Sequence, residues 1–336
     1  MIIDIHGHYT TAPAQLGAYR ANQIADLARP SKGTIRISDD QIRESLENSQ
    51  LKQQRERGTD VVFFSPRAAG MGHHFGSELV SRYWTETCND LIYRVCQLYP
   101  ENFIPVCQLP QSPGVNPQNC IAELERCVNE LGFVGCNVNP DPSGGLATTP
   151  SLGDRWWYPL YEKLVELDVP AMIHVSASAN PALHTTALYY INSDTAAVVQ
   201  LLESRVFQDF PTLKIVIPHG GGAVPYQLAR YRAIAVGAGR EAFEDAIRKI
   251  YFDTAIYSQD AVETLIRAVG VDNVFFASEM VGAANFIDPK TGLWFDDTKP
   301  YLDKIEWLTD QDRQKLFEDN ARRFYTRAAR YLPARN

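Results

Sequence analysis

The chain has 336 residues, 45% hydrophobic and 21% charged, with a formal net charge of −8. That length permits a large buried core, and the acidic balance excludes the broad basic surface that non-specific nucleic-acid binding requires. No apolar run approaches the roughly 18 residues of a membrane helix, so neither a nucleic acid nor a membrane is an expected partner.

The chain opens on an apolar run at 2–5, followed at once by His6-Gly7-His8. Side chains of a strand alternate faces, so both imidazoles leave on one side and can grip one divalent ion. Cleavage of a signal peptide would remove this strand, and none is expected. Seven further short apolar runs follow at 60–64, 103–107, 133–138, 171–175, 213–217, 250–253 and 274–277. Between them, apolar residues recur at helical spacing over 39–56, 78–98, 119–131, 156–167, 194–207, 225–235 and 260–269. Runs that are almost wholly apolar suit parallel strands covered on both faces. Eight βα units in series predict one (β/α)8 barrel domain over 1–336. An open dinucleotide-binding sheet would need G-x-G-x-x-G where this chain has His-Gly-His, and Gly220-Gly221-Gly222 lacks that spacing. Loops are expected around Gly33 and over 108–119, 139–153 and 280–300. Thr309 to Asp312 reads as a capping box, and helices from about 302 are expected to close the chain against the barrel. The six cysteines (Cys88, Cys96, Cys107, Cys120, Cys127 and Cys136) form no C-x-x-C pair and read as buried free thiols of a cytoplasmic protein.

In such a barrel the active site lies at the C-terminal ends of the strands. The residues expected there are His6 and His8; Ser65-Pro66-Arg67; Asn137 and Asn139; His174 with Ser176 and Ser178; His219; Asp253-Thr254; and Ser278-Glu279. Four of the seven histidines and a glutamate thus share one rim. A lone strand-end histidine is commonly a hydrogen-bonded structural residue, but this gathering points to one catalytic Zn²⁺ per chain, with Mn²⁺ and Fe²⁺ also suited to the donors. His6, His8 and His174 are the expected ligands. Glu279 is a further ligand, a base acting on water, or both in turn, and His219 is an acid–base group beside them. His73-His74 follows a glycine turn and His184 lies in a Pro/Ala-rich loop, and neither receives a role.

Arg67 follows the second strand, where its planar fork can clamp a carboxylate. Asn139 and Ser176 are further substrate contacts at the rim. Arg230 lies about one helix length beyond His219, too far for its own mouth, and is expected to serve a neighbouring subunit's site. The expected partners are a small anionic polycarboxylate and further copies of the chain as a homo-oligomer.

On Ile3-Asp4-Ile5-His6-Gly7-His8, Ile173-His174, Pro218-His219-Gly220-Gly221-Gly222-Ala223-Val224-Pro225 and Asn320-Ala321-Arg322-Arg323, the chain resembles the amidohydrolase superfamily over essentially its whole length. The resemblance is to the branch of mononuclear, metal-dependent decarboxylases and hydratases. Decarboxylases of that branch usually carry Ser/Thr-Asp after the eighth strand, where this chain has Ser278-Glu279-Met280. With Phe64-Ser65-Pro66-Arg67-Ala68 and Gly135-Cys136-Asn137-Val138-Asn139-Pro140-Asp141-Pro142, that departure resembles the branch's hydratases. These add water to a conjugated tricarboxylic enol or keto acid, 4-oxalomesaconate or 4-carboxy-2-hydroxymuconate, in aromatic-acid meta-cleavage, giving 4-carboxy-4-hydroxy-2-oxoadipate. The resemblance implies His6, His8, His174 and Glu279 for zinc and water, and His219 as proton donor or acceptor. The competing readings are a non-oxidative decarboxylase of an aromatic or muconate-type acid, a metal-dependent lactonase, and a catalytically dead binding module.

Overall fold

The structure, a computed structural model, describes residues 1–334. Its eight strands are β1 (Ile3–Tyr9), β2 (Val61–Pro66), β3 (Phe103–Gln108), β4 (Gly135–Val138), β5 (Ala171–Ile173), β6 (Ile215–Ile217), β7 (Tyr251–Asp253) and β8 (Val274–Phe275). They pair in sequence order, every pair parallel. Two backbone bonds then join the last strand to the first: Ile5 N–H to Phe276 O at 3.2 Å, and Glu279 N–H to His6 O at 3.1 Å. The sheet therefore closes, and the predicted (β/α)8 barrel is the fold.

The boundaries differ from the expectation in instructive ways. β1 includes both histidines, as expected, and runs one residue further, to Tyr9. β8 is short because the next amides take other acceptors, Phe276 N–H donating to Leu316 O and Ala277 N–H to Thr254 Oγ1, each at 2.9 Å. The stretch predicted as one helix over 39–56 is two, Asp39–Glu47 and Gln50–Arg57. They part at Asn48-Ser49, where the Ser49 hydroxyl bonds back to Ser45 O, a local contact that competes with the helix. A helix over Ala14–Ala25 was not expected from the sequence. The Thr309–Asp312 capping box is present and opens the helix Asp310–Gln314. Among the described residues no helix is long and apolar enough to cross a membrane. All six cysteines are buried free thiols.

The barrel interior explains how the histidines reach the axis. Ile3 and Ile5 pack inside with Val61, Phe63, Ile104, Val106, Met172, Val216 and Phe275, over a floor of Phe324, Tyr325, Ala328 and Leu332. The Tyr325 ring meets Phe63 at 4.8 Å and Phe324 meets Phe275 at 5.2 Å. With Ile3 and Ile5 inside, strict alternation would send His6 and His8 outward. A bulge prevents this. Asp4 pairs with Val62 and Gly7 with Phe64, so three steps on β1 match two on β2. The extra residue reverses the parity of everything after it, and both imidazoles stand on the axis above the isoleucines.

Gly7, between them, turns its bare face to β2. A Cβ there would lie 2.3 Å from Val62 Cγ1 and 3.2 Å from Phe63 O. Overpacking of this kind costs about 1–3 kcal/mol. Gly7→Ala is therefore expected to lower unfolding free energy by that amount in urea titration and to reduce bound metal as β1 is displaced. An unchanged midpoint together with full metal content would refute the close-approach argument.

Candidate metal centre

Three imidazoles converge at the top of the barrel. His6 Nε2 lies 3.0 Å from His8 Nε2, which lies 3.3 Å from His174 Nε2. All three rings are buried. Their other nitrogens are taken: His6 Nδ1 by Asp253 Oδ2 at 2.7 Å, His174 Nδ1 by Val175 O at 2.8 Å, and His8 Nδ1 by Ser65 Oγ at 2.8 Å. Carboxylate and carbonyl oxygens only accept, so Nδ1 carries the proton in His6 and His174, and in their neutral forms each Nε2 presents a bare lone pair. Burial holds His8 down to about 3, with the neighbouring His6 acting in the same direction. Burial likewise holds His174 well below the ordinary histidine value, reinforced by His8 and His6. Two such lone pairs beside the His8 nitrogen suit a cation lying among the three. Nitrogens ligating one tetrahedral ion at ~2.0–2.1 Å sit about 3.3 Å apart, and about 2.9 Å apart across a right angle. The donor set and spacing therefore fit a divalent metal.

Glu279 and His219 complete the site. One ligand atom from each of His6, His174, His219 and Glu279 falls within 4.8 Å of the others, all four buried. His219 Nδ1 meets Asp194 Oδ2 at 2.8 Å, and its Nε2, with no hydrogen bond among the described residues, stands 3.6 Å from Glu279 Oε2. Tyr257 donates its phenol proton to Glu279 Oε2 at 2.7 Å. Burial would lower His219, but Asp194 and Glu279 outweigh it and hold the imidazole well above its ordinary value. Burial would raise Glu279, but the facing His219 and the nearby His6 hold it well below the carboxylate range. The two sites thus favour an imidazolium facing a carboxylate. A doubly protonated imidazole has no lone pair to offer a metal, which separates His219 from the three bare rings.

The backbone is strained at this rim. His219, Glu279, Tyr257 and Val281 have φ of 50°, 51°, 62° and 60°, a left-handed region that costs a non-glycine residue about 1–3 kcal/mol. Tertiary bonds hold them there. Val281 N–H donates to Asp296 Oδ2 at 3.0 Å, and its carbonyl accepts from Thr10 Oγ1 at 2.8 Å. Asp4, fully buried beneath the rim, accepts from His6 N–H at 2.9 Å and from the Ser278 hydroxyl, tying the first ligand strand to the residue before Glu279.

The remaining expected residues divide. Arg67 is exposed, forms no ion pair among the described residues, and its charge reaches His8 and Tyr190. Asn139 and Ser176 are buried and bonded to each other, Nδ2 to Oγ at 3.1 Å. Arg230 is exposed on the helix Leu228–Gly237 and makes no contact with the histidines. His73 is buried with Nδ1 3.2 Å from Gln111 O, His74 Nδ1 is buried without a partner, and exposed His184 accepts from Ala187 N–H. Sequence reasoning assigned no role to Asp253, Asp194, Ser65, Tyr257 or Asp4. Asp253 and Ser65 were visible as strand-end polar residues. Asp194 lies mid-helix and Tyr257 in a loop, and no spacing rule marks either.

Asp253 fixes the tautomer of His6, so Asp253→Asn is expected to weaken metal binding roughly 10–100-fold, read by competition against a chelator with metal content measured by mass spectrometry. Unchanged affinity would show that the carboxylate plays no such part.

Comparison with known proteins agrees with this centre. The sequence matches the family described as Amidohydrolase over residues 3–327. It is 50% identical over 338 aligned residues to a 2-keto-4-carboxy-3-hexenedioate hydratase of Sphingobium sp., covering 100% of this chain and 99% of that one. It is 27% identical over 259 residues to a gamma-resorcylate decarboxylase of Rhizobium sp., covering 70% and 74%. Among solved structures, a 4-oxalomesaconate hydratase, LigJ, from Rhodopseudomonas palustris superposes with a TM-score of 0.91 at 50% identity, covering 98% of this chain and 97% of that one. Family match, barrel and convergent imidazoles agree: the chain belongs to the amidohydrolase family.

Proposed function

We propose that the chain is a metal-dependent hydratase of a conjugated tricarboxylic enol or keto acid in aromatic-acid catabolism, converting 4-oxalomesaconate to 4-carboxy-4-hydroxy-2-oxoadipate, with zinc as the ion. The observation that carries it is the Glu279 carboxylate standing 3.6 Å from His219 Nε2, beside three converging imidazoles. Hydration of an electron-poor alkene needs a base for water and an acid for the adjacent carbon at one centre. The full-length similarity to two proteins named as hydratases supports the same reading.

His6, His8 and His174 would hold the metal, with Glu279 in reach of it. When bound, the ion supplies positive charge that lowers the pKa of water and polarises a substrate oxygen. Glu279 takes a proton from water, whose oxygen bonds to the alkene carbon bearing a carboxylate. The π electrons move toward the keto oxygen as an enolate. His219 delivers its Nε2 proton to the adjacent carbon, leaving a neutral imidazole next to a protonated Glu279. The 3.6 Å gap between them lets the proton return to His219, which restores the starting charges. Asp194 holds the ring with Nε2 aimed at that gap, and Tyr257 holds the carboxylate. Arg67, with no internal partner, is the cation for a substrate carboxylate. Arg230 is proposed to serve the site of a second copy in a homo-oligomer. Its helix lies exposed beside exposed Tyr226, Ile234 and Val236, which supports an interface there.

Glu279→Gln keeps size and removes the base. It is expected to lower kcat about 10²–10⁴-fold in an ultraviolet assay of conjugated-alkene loss, with metal content checked alongside. Turnover retained at full metal occupancy would remove Glu279 as the base, and release of CO₂ in place of hydration would turn the assignment to decarboxylation. Arg67→Met is expected to raise KM roughly tenfold or more with a smaller change in kcat, because the lost contact is a charge-assisted bond worth about 1.5–3 kcal/mol. An unchanged KM would place the carboxylate elsewhere.

A further inference from the structure

A second pocket lies beside the barrel, between the unexpected helix Ala14–Ala25, the segment after β2 and the helix Glu78–Leu98. Its volume is about 400 Å³, within the range of pockets that bury small organic ligands. Leu16, Met71, Trp84 and Ile92 make apolar walls, and none of the metal-centre histidines nor Glu279 lines it. Two arginines do, Arg20 and Arg67, and none of the described residues lining it is acidic.

Arg20 is only 8% exposed and has no carboxylate partner among the described residues. Its guanidinium lies 4.9 Å from the Trp84 ring centroid and 5.8 Å from that of Phe75. Nη2 donates to Met71 O at 2.9 Å and Gly72 O at 3.1 Å, while Nη1 reaches only Gln23 Oε1 at 3.4 Å. Nε has no hydrogen-bond partner among the described residues; with both Nη2 hydrogens spent on the two carbonyls, Nε–H and the second Nη1 hydrogen are the donors left free. Burial lowers Arg20 to about 10, and the groups acting the other way are the Cys88 thiol and Tyr19 phenol, both neutral near pH 7. A buried cation lacking a counter-ion is costly unless something supplies one.

Gly17 adds a second observation. It sits inside a helix, where glycine costs about 0.5–1 kcal/mol relative to alanine, and it lines the pocket. A Cβ there would meet no atom within 4 Å, so no neighbouring group forces the residue to be glycine. What the missing side chain leaves is room at the pocket mouth, on the same helix face as Arg20.

We propose that this pocket binds a small apolar monocarboxylate, with a carboxylate oxygen accepting from a free Nε–H or Nη1–H of Arg20 and the body against Trp84 and the aliphatic wall. One charge-assisted bond suits a single carboxylate, and the walls offer nothing to a second charge at the far end. Arg67 stands at the rim and adds a second positive charge.

The test is calorimetry on the metal-loaded enzyme with benzoate, hexanoate and neutral benzyl alcohol. At least one carboxylate is expected to bind saturably, with benzyl alcohol at least ~tenfold weaker. Binding of benzoate alone or hexanoate alone supports the proposal and identifies an aromatic or an aliphatic ligand. Arg20→Gln and Gly17→Leu should each weaken binding roughly tenfold or more, the second by filling the mouth, at unchanged circular dichroism and metal content. If Arg20→Gln does not fold, Gly17→Leu decides, since leucine favours the helix. Saturable binding by neither carboxylate overturns the proposal, as does equal binding of benzyl alcohol. Binding that survives Gly17→Leu in folded protein places the carboxylate on the metal centre and overturns it equally.

Discussion

The structure turns on imidazole nitrogens brought within about 3 Å of one another, two of which already have their proton placed on the far side of the ring. A hydrogen bond between two imidazole nitrogens needs one of them to donate. The oxygens on the far side of His6 and His174 have already claimed that proton, and Ser65 sits at the corresponding nitrogen of His8. His6 and His174 are left with acceptors aimed toward His8, an arrangement that a cation among the rings would complete. Burial favours it by holding His8 and His174 below the ordinary histidine value.

Glu279 and His219 differ from that trio because their charges satisfy each other. Asp194 and Glu279 flank the His219 ring, so the imidazole keeps its second proton where its neighbours cannot. One small volume thus contains imidazoles pushed in opposite directions, His8 and His174 downward and His219 upward, by what surrounds each ring. A base and an acid coexist at 3.6 Å because the surrounding strands, not solvent, determine where the protons lie. The left-handed backbone at His219, Tyr257 and Glu279 is the cost of aiming three side chains from three loops at that volume.

Much of this was legible in the sequence. Eight apolar runs gave the strand number and order, and strand-end His6, His8, His174, His219 and Glu279 gave the members of the centre. The bulge in β1 was not legible. Alternation puts His6 and His8 on one face, but which face depends on an extra residue that only the pairing of Asp4 and Gly7 reveals. Asp194 was hidden because its partner is 25 residues away, on another element. The helix Ala14–Ala25 was missed because its sequence, AQLGAYRANQIA, has small and polar residues where a core-facing stripe would stand, and Arg20 is its only buried residue. Leu16 and Tyr19 touch the core, and the rest of the inner face borders a pocket. Asn139 and Ser176 show the opposite error, since polar residues at a strand end can satisfy each other.

The seam between the first strand and the last also bears on synthesis. His6 is made long before the groups it meets, since the backbone bond from Glu279 to His6 and the floor built on Phe324 and Tyr325 await residues far later in the chain. The most distant members of the centre are 273 positions apart, so the enclosure forms only after the late members have been made. Unfinished polypeptides, or products clipped before the closing seam, retain the early imidazoles without their late partners.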